Sequence, residues 1–532
     1  GDWSSAAARF DSVDVRGSVP RQSLDASISA TLERASLLEA PTKWELNPEE
    51  IEIGKKLGKG AFGTVYKGKL HGKDVAIKKL HMTNLDADAE EDFRAEMTIM
   101  SKLRHPNVVL FMGSCMQPGN YMMVTELMPR GSLYDILHND SIKLTFKQKM
   151  KMAKDAALGM NWLHSSNPIF IHRDLKLSNL LVDNNYKVLV CDFGLAQMKP
   201  KDVANLGYDP HGSPLYMAPE VFVGDYNEKC DIYSFAIVLW EILTQSQAFE
   251  DIEDDLPAFI HAVCDNNFRP EIPRDCPSRV AKLLEDCWQK EPSARPSFSS
   301  IITRLDRILV DVAINDPLGR KLWEGSFLSK DDVSWDDFTV QLFAVLGTSI
   351  PENDISYKCL ETVLASSSGD ILAKSKIVNI TRFGQVCSWF GPLEQKGRTS
   401  ILFDNLTSTL KEKWFHGDLT QQEAEDRLSD QTKGTFLIRF SASAPGCFTI
   451  SHINKSKQLC HQRVTHVPGK GFYFWEDRYD SLRDLIKDQR KKQYFVTPCP
   501  GSSYQKLFPK KKSLRKGAPP VDGGAYMVQK PH

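Results

Sequence analysis

Two short strings carry acidic, amide and lysine side chains that could act together on a hydroxyl group and a phosphate. The string "HRDLKLSN" places Asp174 five residues before Asn179, and "CDFG" adds Asp192. A carboxylate such as Asp174 can orient a hydroxyl and accept its proton, whereas oxygens of Asn179 and Asp192 suit Mg²⁺ ions that bridge phosphates. Lys176 follows Asp174 by two residues, where its ammonium can hold a transferred phosphate. These residue types and spacings predict phosphoryl transfer to a hydroxyl.

A glycine-rich stretch upstream could close over the phosphates of a nucleotide. The stretch "LGKGAFGTV" has the pattern G-x-G-x-x-G-x-V, in which glycines let backbone N–H groups approach phosphates without side-chain collision. Dinucleotide-binding folds use a similar string, but there a helix follows. Here the following residues, "TVYKGKLHGKDVAIKKL", alternate as in a hairpin. We therefore predict nucleotide binding by the nine residues Leu57, Gly58, Lys59, Gly60, Ala61, Phe62, Gly63, Thr64 and Val65.

The string "VAIK" places Lys78 on a predicted strand, from which it could reach the α- and β-phosphates. The alternative for any lysine is a solvated surface charge. The apolar residues that precede Lys78 make that alternative less favourable. Glu96, in the helical stretch "EDFRAEMTIMSKLRHPN", is the predicted ion-pair partner of Lys78.

These strings, completed by "MAPE", occur in a fixed order that resembles the protein kinase family over residues 51–309. The resemblance implies a two-lobed fold, with a small antiparallel sheet and one helix above a larger helical lobe. It also implies ATP and Mg²⁺ as cofactors and proteins as substrates. It places Thr125 at the back of the adenine pocket and offers backbone groups from Glu126 to Met128 to the adenine edge. The scaffold residues implied by the resemblance are Asp231, which braces the catalytic loop, and the ion pair of Glu220 with Arg295.

The choice of hydroxyl depends on the residues around the catalytic loop. Lys176 is the residue that serine/threonine kinases carry at this position, and Ser213 in "GSPLYMAPE" fits a small hydroxyl that ties this segment to Asp174 and Lys176. In contrast, "HPNVVLFMGSC" and "YSFAIVLWEILT" resemble the tyrosine-kinase-like branch. Serine/threonine activity is therefore predicted, and dual specificity stays open.

Arg439 interrupts an apolar strand in "GTFLIRFSAS", where Phe436, Ile438 and Phe440 alternate on a core-facing side. A buried arginine is costly to desolvate unless an anion meets it. The order "WFHGDLTQQEAEDRL", "GTFLIRFS", "CFTISHI" and "YDSLRDLIKDQ" resembles an SH2 domain over residues 414–504. In that family an arginine fork grips phosphotyrosine. The alternative, an ion pair with a nearby acid, is the weaker interpretation.

The resemblance assigns further residues to the phosphotyrosine pocket and shows two departures. Ser441 and Ser443 would donate hydrogen bonds to the phosphate, and His461 and Arg463 would flank the ring. Phe440 replaces the usual acid after the arginine. Gln421 or Gln422 stands where many members carry a second arginine, so we expect less positive charge in the pocket.

The remaining segments are assigned by composition and pattern. Residues 1–43 are rich in Ser and Ala and are predicted to be disordered. Residues 315–410 form a predicted helical linker; in "SWDDFTVQLFAVLG", Trp335, Phe338, Leu342 and Val345 share a helical face and Gly347 is the stop. Within the linker, "VNITRFGQVCSWFGPL" resembles helical segments that precede the SH2 domains of STAT-type transcription factors and Cbl-type ligases. We favour a spacer that packs against the SH2 domain, without a metal.

Residues 505–532 form a predicted disordered tail, with six Lys or Arg between Lys506 and Lys516. Attraction to an anionic membrane surface and a solvated tail are both open interpretations. The whole chain carries 67 basic and 68 acidic residues, so no nucleic-acid partner is expected. Eleven cysteines without a C-x-x-C pair indicate a reducing compartment. We expect a cytoplasmic location, with the plasma-membrane periphery as an alternative.

One regulatory site is predicted between "DFG" and "HGS". The intervening "LAQMKPKDVANLGYDP" contains no Ser or Thr, and Tyr208 is its single hydroxyl. Arg173 stands where kinases meet an activation-loop phosphate, so Tyr208 is the candidate phosphosite. The alternative is that Tyr208 simply packs.

The sequence thus predicts an α+β multidomain chain with a bilobal kinase fold, a helical linker and a C-terminal SH2 domain. This order resembles the SH2-bearing dual-specificity kinases of the Shk type, in the tyrosine-kinase-like branch. The alternative is an inactive phosphotyrosine-binding adaptor with a kinase-like scaffold. Since Lys78, Asp174 and Asp192 are all present, we favour an active protein kinase in intracellular signalling.

Overall fold

The chain divides into two units, residues 1–312 and residues 313–532. The computed structural model describes residues 44–59, 63–81, 103–192, 213–252, 255–367, 376–444 and 446–508. It also describes residues 93, 94, 97, 100 and 101 and the backbone of 197–199. Glu96, Tyr208, the first 43 residues and the tail beyond residue 508 lie outside this part of the chain.

The first lobe of unit one is an antiparallel five-stranded sheet in the order β1-β2-β3-β5-β4. Its strands are β1 (Ile51–Lys59), β2 (Gly63–Leu70), β3 (Lys73–Leu80), β4 (Phe111–Cys115) and β5 (Met122–Glu126). The turn between β2 and β3 is formed by His71 and Gly72, whose φ angles of 48° and 80° suit a tight hairpin. The hairpin predicted from the sequence is therefore confirmed.

The second lobe is mainly helical and contains two small two-stranded sheets, β6–β9 and β7–β8. Its helices are α1 (Leu133–Leu137), α2 (Phe146–Ser165), α3 (Pro219–Val223), α4 (Lys229–Thr244), α5 (Leu256–Cys264), α6 (Ser278–Cys287) and α7 (Phe298–Ala313). Its strands are β6 (Ile169–Ile171), β7 (Leu180–Val182), β8 (Val188–Val190) and β9 (Gln197–Lys199). Helix α4 is buried nearly all round, so it forms the centre of this lobe.

Unit two begins with the linker region, which combines helices with a small sheet. Its helices are α8 (Pro317–Ser326), α9 (Trp335–Leu346), α10 (Ile355–Leu364), α11 (Ile380–Phe390) and α12 (Ile401–Leu410). The strands β10 (Asp332–Ser334), β11 (Ala365–Ser367) and β12 (Lys376–Asn379) pair in the order β10-β12-β11, so the helical linker also contains a small sheet.

Helix α9 tests the predicted helical face and stop. Gly347 caps the helix in the left-handed region at φ 60°, as predicted. Trp335, Phe338 and Leu342 are buried. Val345 is only half-buried and Leu346 is buried instead, because the buried face continues from Leu342 by a step of four residues and not of three.

The rest of unit two is a seven-stranded sheet between two helices. Along β13-β14-β15-β16-β17-β18 the strands pair as neighbours, and β19 pairs with β14. The strands are β13 (Phe415–Gly417), β14 (Thr435–Phe440), β15 (Phe448–Ile453), β16 (Leu459–Val467), β17 (Gly471–Phe474), β18 (Asp477–Tyr479) and β19 (Thr497–Pro498), and the helices are α13 (Gln421–Leu428) and α14 (Leu482–Lys491). Every residue of β14 is buried, so both faces of this strand are covered rather than one.

Helix α11 of the linker packs directly on this sheet. The indole of Trp389 stacks on Phe440 of β14 with ring centroids 3.7 Å apart, and its Nε1 donates to the carbonyl of Cys447. The guanidinium of Arg382 lies 5.0 Å from the Trp389 ring and binds both carboxylate oxygens of Asp418. The predicted packing of the spacer against the last domain is confirmed.

Among the described residues, none of the helices has both the length and the apolar character that crossing a bilayer requires.

Candidate active site and candidate phosphotyrosine pocket

Asp174 lies in the loop after β6 and accepts four hydrogen bonds that fix its carboxylate. Its Oδ1 accepts from the backbone N–H of Ser213 at 3.0 Å and from the Ser213 hydroxyl at 2.8 Å. Its Oδ2 accepts from the Asn179 amide at 2.8 Å and lies 2.9 Å from Lys176 Nζ. Lys176 Nζ also donates to the Ser213 hydroxyl at 2.6 Å. The structure thus brings together the predicted residues of the catalytic loop and the predicted contact with Ser213.

The fully buried carboxylate of Asp231 holds the backbone of this loop in place. It accepts the backbone N–H groups of His172 and Arg173, each at 2.9 Å, and His164 Nε2 at 2.8 Å. Burial raises the pKa of Asp231, but the hydrogen bond and charge of His164 outweigh it, and the pKa lies below its ordinary value. Arg173 has a φ of 65°, and these hydrogen bonds hold its backbone in that uncommon conformation.

Asn179 and Asp192, the predicted metal ligands, are brought side by side by the backbone. The carbonyl of Asn179 accepts from the N–H of Cys191, the residue before Asp192. Since the Asn179 amide nitrogen donates to Asp174, its Oδ1 is the atom left for a cation. An amide oxygen beside a carboxylate is a donor set that fits a hard divalent cation.

Lys78 on β3 donates from Nζ to Asp192 Oδ1 at 2.7 Å. Burial raises the pKa of Asp192, but the charge and hydrogen bond of Lys78 more than reverse this, so the pKa lies below its ordinary value. The Asp192 side chain remains 41% exposed, and therefore accessible to a ligand. Glu96, the predicted partner of Lys78, lies outside the described residues, and that pair stays a prediction.

The glycine-rich stretch is described at its two sides. Gly58 pairs with Val65 and Lys59 with Thr64, so β1 and β2 converge on the loop as predicted. Leu57 is exposed on β1. The loop residues Gly60, Ala61 and Phe62 lie outside the described part of the chain.

The predicted adenine-binding segment leaves the end of β5. Thr125 lies opposite Ala76 of β3 in the sheet. The N–H of Glu126 donates to the carbonyl of Leu110 at 3.0 Å. The Glu126 carbonyl oxygen accepts from the Thr125 hydroxyl at 3.4 Å, and its second lone pair is left for the adenine edge. The carbonyl of Met128 accepts from the N–H of Gly131, and the N–H of Met128 is the donor that the family resemblance assigns to the adenine edge.

Two buried pairs in the second lobe hold the segment that follows Ser213. Arg295 binds both carboxylate oxygens of Glu220, at 2.5 and 2.8 Å, and this predicted ion pair is confirmed. Tyr216 donates its hydroxyl to Glu241 at 2.8 Å, a pair that the sequence analysis missed. Burial raises the pKa of Glu241 to about 7. The available signal for this pair was Glu241 itself, a carboxylate within the apolar run of α4.

In the second unit, Arg439 on β14 is only 4% exposed and points toward helix α13. Its Nε donates to the Ser451 hydroxyl at 3.3 Å, and Nη1 donates to the carbonyl of Leu419 at 3.4 Å. Burial lowers the pKa of Arg439, while the carboxylate of Glu425 acts in the opposite direction. Both hydrogen bonds are long, and neither carbonyl nor hydroxyl neutralises the charge, so the fork is suited to a stronger anionic partner.

The other predicted pocket residues lie around this arginine. His461 lies opposite Ser451 on the neighbouring strand, and Arg463 lies opposite Thr449. Arg463 donates to the Ser443 hydroxyl at 3.3 Å. The Ser441 hydroxyl accepts from the N–H of Ala444 at 3.2 Å, which leaves its proton free to be donated.

Two further residues of the pocket were not predicted. Ser451 shares a hydrogen bond of 2.8 Å with His461 Nδ1. Glu425 of α13 accepts from His461 Nε2 at 3.1 Å and from the Gln421 amide at 2.8 Å. Gln421, rather than Gln422, is therefore the residue at the edge of the pocket. The available signal for Ser451 was its position in β15, two residues after Thr449 and therefore on the same face of the strand.

Two family models match the chain and agree with this geometry. The model described as protein tyrosine and serine/threonine kinase matches residues 51–305, and the SH2 domain model matches residues 414–489. The chain is thus a protein kinase that carries a C-terminal SH2 domain.

Curated relatives match this chain over half of its length or more. Dual specificity protein kinase shkC of Dictyostelium discoideum is 45% identical over 452 residues, which cover 83% of this chain and 89% of that protein. Dual specificity protein kinase shkA of the same organism is 42% identical, covering 87% of this chain and 91% of that protein. The serine/threonine-protein kinase CTR1 of Arabidopsis thaliana is 44% identical over 50% of this chain. The chain therefore belongs to the family of Shk protein kinases.

Proposed function

We propose that the enzyme transfers the γ-phosphoryl group of ATP, as its Mg²⁺ complex, to Ser, Thr and Tyr hydroxyls of protein substrates. The observation that carries this proposal is the Asp174–Lys176–Ser213 cluster. In it the hydroxyl of Ser213 holds a carboxylate and an ammonium together. The Dictyostelium relatives are named as dual specificity kinases, and this supports the inclusion of tyrosine.

In this proposal each residue has a separate task. Asp174 orients the acceptor hydroxyl and takes its proton at Oδ1 or Oδ2 as the phosphoryl group leaves ATP. Lys176 offers a cation beside the same carboxylate and so stabilises charge on the transferred group. Asn179 and Asp192 would hold Mg²⁺, which when bound would neutralise charge on the phosphates of ATP.

Lys78 would hold the α- and β-phosphates, and its pairing with Asp192 keeps its ammonium at the cleft. The carbonyl of Glu126 and the N–H of Met128 would bind the adenine edge beside Thr125. An inactive adaptor is the less favourable alternative, because no part of the catalytic set is replaced.

The test of the reaction is phosphoamino-acid analysis. Purified full-length chain is incubated with labelled ATP, Mg²⁺ and a mixed protein substrate, and the hydrolysate is resolved into phosphoserine, phosphothreonine and phosphotyrosine. We expect all three. Phosphoserine and phosphothreonine alone would restrict the proposal, and no labelled amino acid above the level of an Asp174→Asn control would contradict it.

We further propose that the SH2 domain binds phosphotyrosine-containing proteins through Arg439, with Ser441, Ser443, His461 and Arg463 around the phosphate and ring. The buried, weakly satisfied guanidinium supports this. In the Arg439→Leu variant the leucine fills the strand volume, so binding of phosphotyrosine peptides should be lost while kinase activity on a generic substrate persists. Unchanged binding would place the anion elsewhere.

The proposed location is the cytoplasm, with peripheral contact at the plasma membrane through the basic tail. Eleven unpaired cysteines support a reducing compartment. Six cations between Lys506 and Lys516 can each contribute about 1 kcal/mol at an anionic surface. Sedimentation with phosphatidylserine vesicles, compared with neutral vesicles, tests the contact. A variant with Lys510, Lys511 and Lys512 changed to Gln should lose it.

A further inference from the structure

The phosphotyrosine pocket contains an anion of its own, the carboxylate of Glu425 on helix α13. Glu425 Oε1 lies 3.1 Å from His461 Nε2, one of the groups proposed to flank the phosphotyrosine ring. Through His461 and Ser451 the carboxylate is connected to Arg439 by a continuous series of hydrogen bonds. Glu425 therefore lies within the group of residues that a phosphate would have to recruit.

The carboxylate is ionised at neutral pH. Hydrogen bonds from the Gln421 amide and from His461 hold the pKa of Glu425 below its ordinary value. Glu425 and Arg439 are also close enough for each charge to shift the other's pKa. A phosphate dianion that enters the pocket meets a like charge as well as the arginine.

Gln421 does not relieve this repulsion, because its side chain is neutral. An arginine at this edge of the pocket would neutralise Glu425 and add a cation for the phosphate. The glutamine amide only orients Glu425, through the hydrogen bond of 2.8 Å. The pocket therefore presents the cations Arg439 and Arg463 against an uncancelled carboxylate, with His461 as the group for which both anions compete.

We propose that Glu425 is a built-in competitor of the phosphate, which lowers the affinity of the SH2 domain for phosphotyrosine and so makes binding depend on the rest of the ligand. This inference rests on the proposed binding of phosphotyrosine through Arg439. Its consequence is selectivity: a phosphotyrosine alone is held weakly, and only ligands with further contacts are retained.

The adjacent pair on the same helix provides a matched control. Gln422 donates to Asp426 at 2.9 Å, with the same i, i+4 geometry as Gln421 and Glu425. Asp426 is exposed, whereas Glu425 is half-buried, and Asp426→Asn removes a carboxylate from the adjacent position of the same helix. Any effect of net charge alone should be equal in the two variants.

The experiment measures fluorescence polarisation of a labelled peptide pool with a central phosphotyrosine and degenerate flanks, titrated with purified full-length chain. The proteins are wild type, Glu425→Gln, Asp426→Asn and Arg439→Leu, each checked by thermal unfolding. Glutamine keeps the shape and the acceptor oxygen of Glu425, so His461 stays in place. We expect Glu425→Gln to tighten binding roughly tenfold and Asp426→Asn to leave it within twofold.

A second pool with sulfotyrosine tests the electrostatic cause. Because sulfotyrosine carries one negative charge instead of two, the gain from Glu425→Gln should fall to roughly threefold. Unchanged or weaker phosphopeptide binding by Glu425→Gln would overturn the inference, as would an equal gain in Asp426→Asn or an equal gain for the two pools. If wild type bound the pool no better than Arg439→Leu, the proposed phosphotyrosine function would fail, and this inference with it.

Discussion

The hydroxyl of Ser213 lies 2.8 Å from Asp174 Oδ1 and 2.6 Å from Lys176 Nζ, so one serine joins the carboxylate and the ammonium of the catalytic loop. Ser213 is 39 residues from Asp174 in sequence and begins the segment that runs into Tyr216 and Glu220. The geometry of the catalytic loop therefore depends on the placement of a distant segment.

Replacing Ser213 should lower turnover more than it lowers nucleotide affinity. Ser213→Ala removes both contacts of the hydroxyl and one of the four hydrogen bonds that fix the Asp174 carboxylate, and we expect kcat to fall about 10- to 100-fold with the KM for ATP nearly unchanged. Ser213→Thr keeps the hydroxyl and serves as the control. Steady-state kinetics in ATP would contradict this prediction if Ser213→Ala retained full kcat, or if the threonine variant were equally impaired.

Asp192→Asn should reduce phosphoryl transfer to background. The substitution removes the charge that pairs with Lys78 and a carboxylate oxygen from the proposed cation site, but the side chain is 41% exposed, so the fold should tolerate it. Radiometric assay measures the loss, with phosphotyrosine-peptide binding as the check that the chain is folded. The exposed Asp265→Asn is the charge-matched control, and turnover at the wild-type rate in Asp192→Asn would rule out the assigned role.

Glu241 should make the kinase unit less stable as the pH rises. Its pKa is about 7 in the folded protein against an ordinary 4.5, so the folded state holds the proton that the unfolded state releases. The contribution of Glu241 to stability is therefore fully present below pH 4.5 and is lost as the pH rises to about 7. Glu241→Gln should add on the order of 3 kcal/mol at pH 8 and little at pH 4.5.

Scanning calorimetry of the full chain at pH 4.5 and 8 measures this difference. The exposed Glu285→Gln controls for the loss of one carboxylate and should change stability equally at both pH values. A gain for Glu241→Gln that did not depend on pH would show that the buried carboxylate titrates normally.

Phe440 and Trp389 should be energetically coupled. Phe440→Ala should cost about 3 kcal/mol, since a buried ring and its stacking partner are lost. In a double-mutant cycle with Trp389→Leu, we expect a coupling of about 1 kcal/mol. Urea unfolding followed by circular dichroism provides the values. Phe495, which lies on Phe436 instead, is the control, and its cycle with Trp389 should be additive.

Tyr208→Phe should lower activity roughly tenfold if loop phosphorylation orders the segment through Arg173. In the described part of the chain, the Arg173 guanidinium donates to the Tyr226 hydroxyl of the second lobe at 2.9 Å. Phosphosite mapping of active enzyme accompanies the assay. Full activity in the variant, together with no phosphate on residues 193–212, would leave Tyr208 as a packing residue.

The catalytic residues could be predicted from sequence because each lies in a short string whose spacing is set by its own loop. Asp174, Lys176 and Asn179 are separated by fixed steps along one turn, so their proximity follows from local geometry. Even the distant partner Ser213 belongs to a string with its own signature.

Other contacts could not be predicted, since they join residues that carry no local signal. Glu425 is one of several acids on an exposed helix, and its approach to His461 depends on how α13 lies across the sheet. Phe440 departs from the family pattern. The ring on which it stacks, Trp389, lies in the linker and could not be paired with it from the sequence. The strands of the linker are three or four residues long, too short for an alternating pattern to be recognised.

The stack of Trp389 on Phe440 means that the phosphotyrosine-reading part of this chain is not a portable module. An expression fragment that starts at residue 414, where the SH2 match begins, would leave an aromatic ring of the sheet uncovered and Asp418 without its arginine. Such a fragment should be prone to self-association. Work on the isolated reader, or its transfer to another enzyme, should therefore begin near residue 313 and carry the linker helices along.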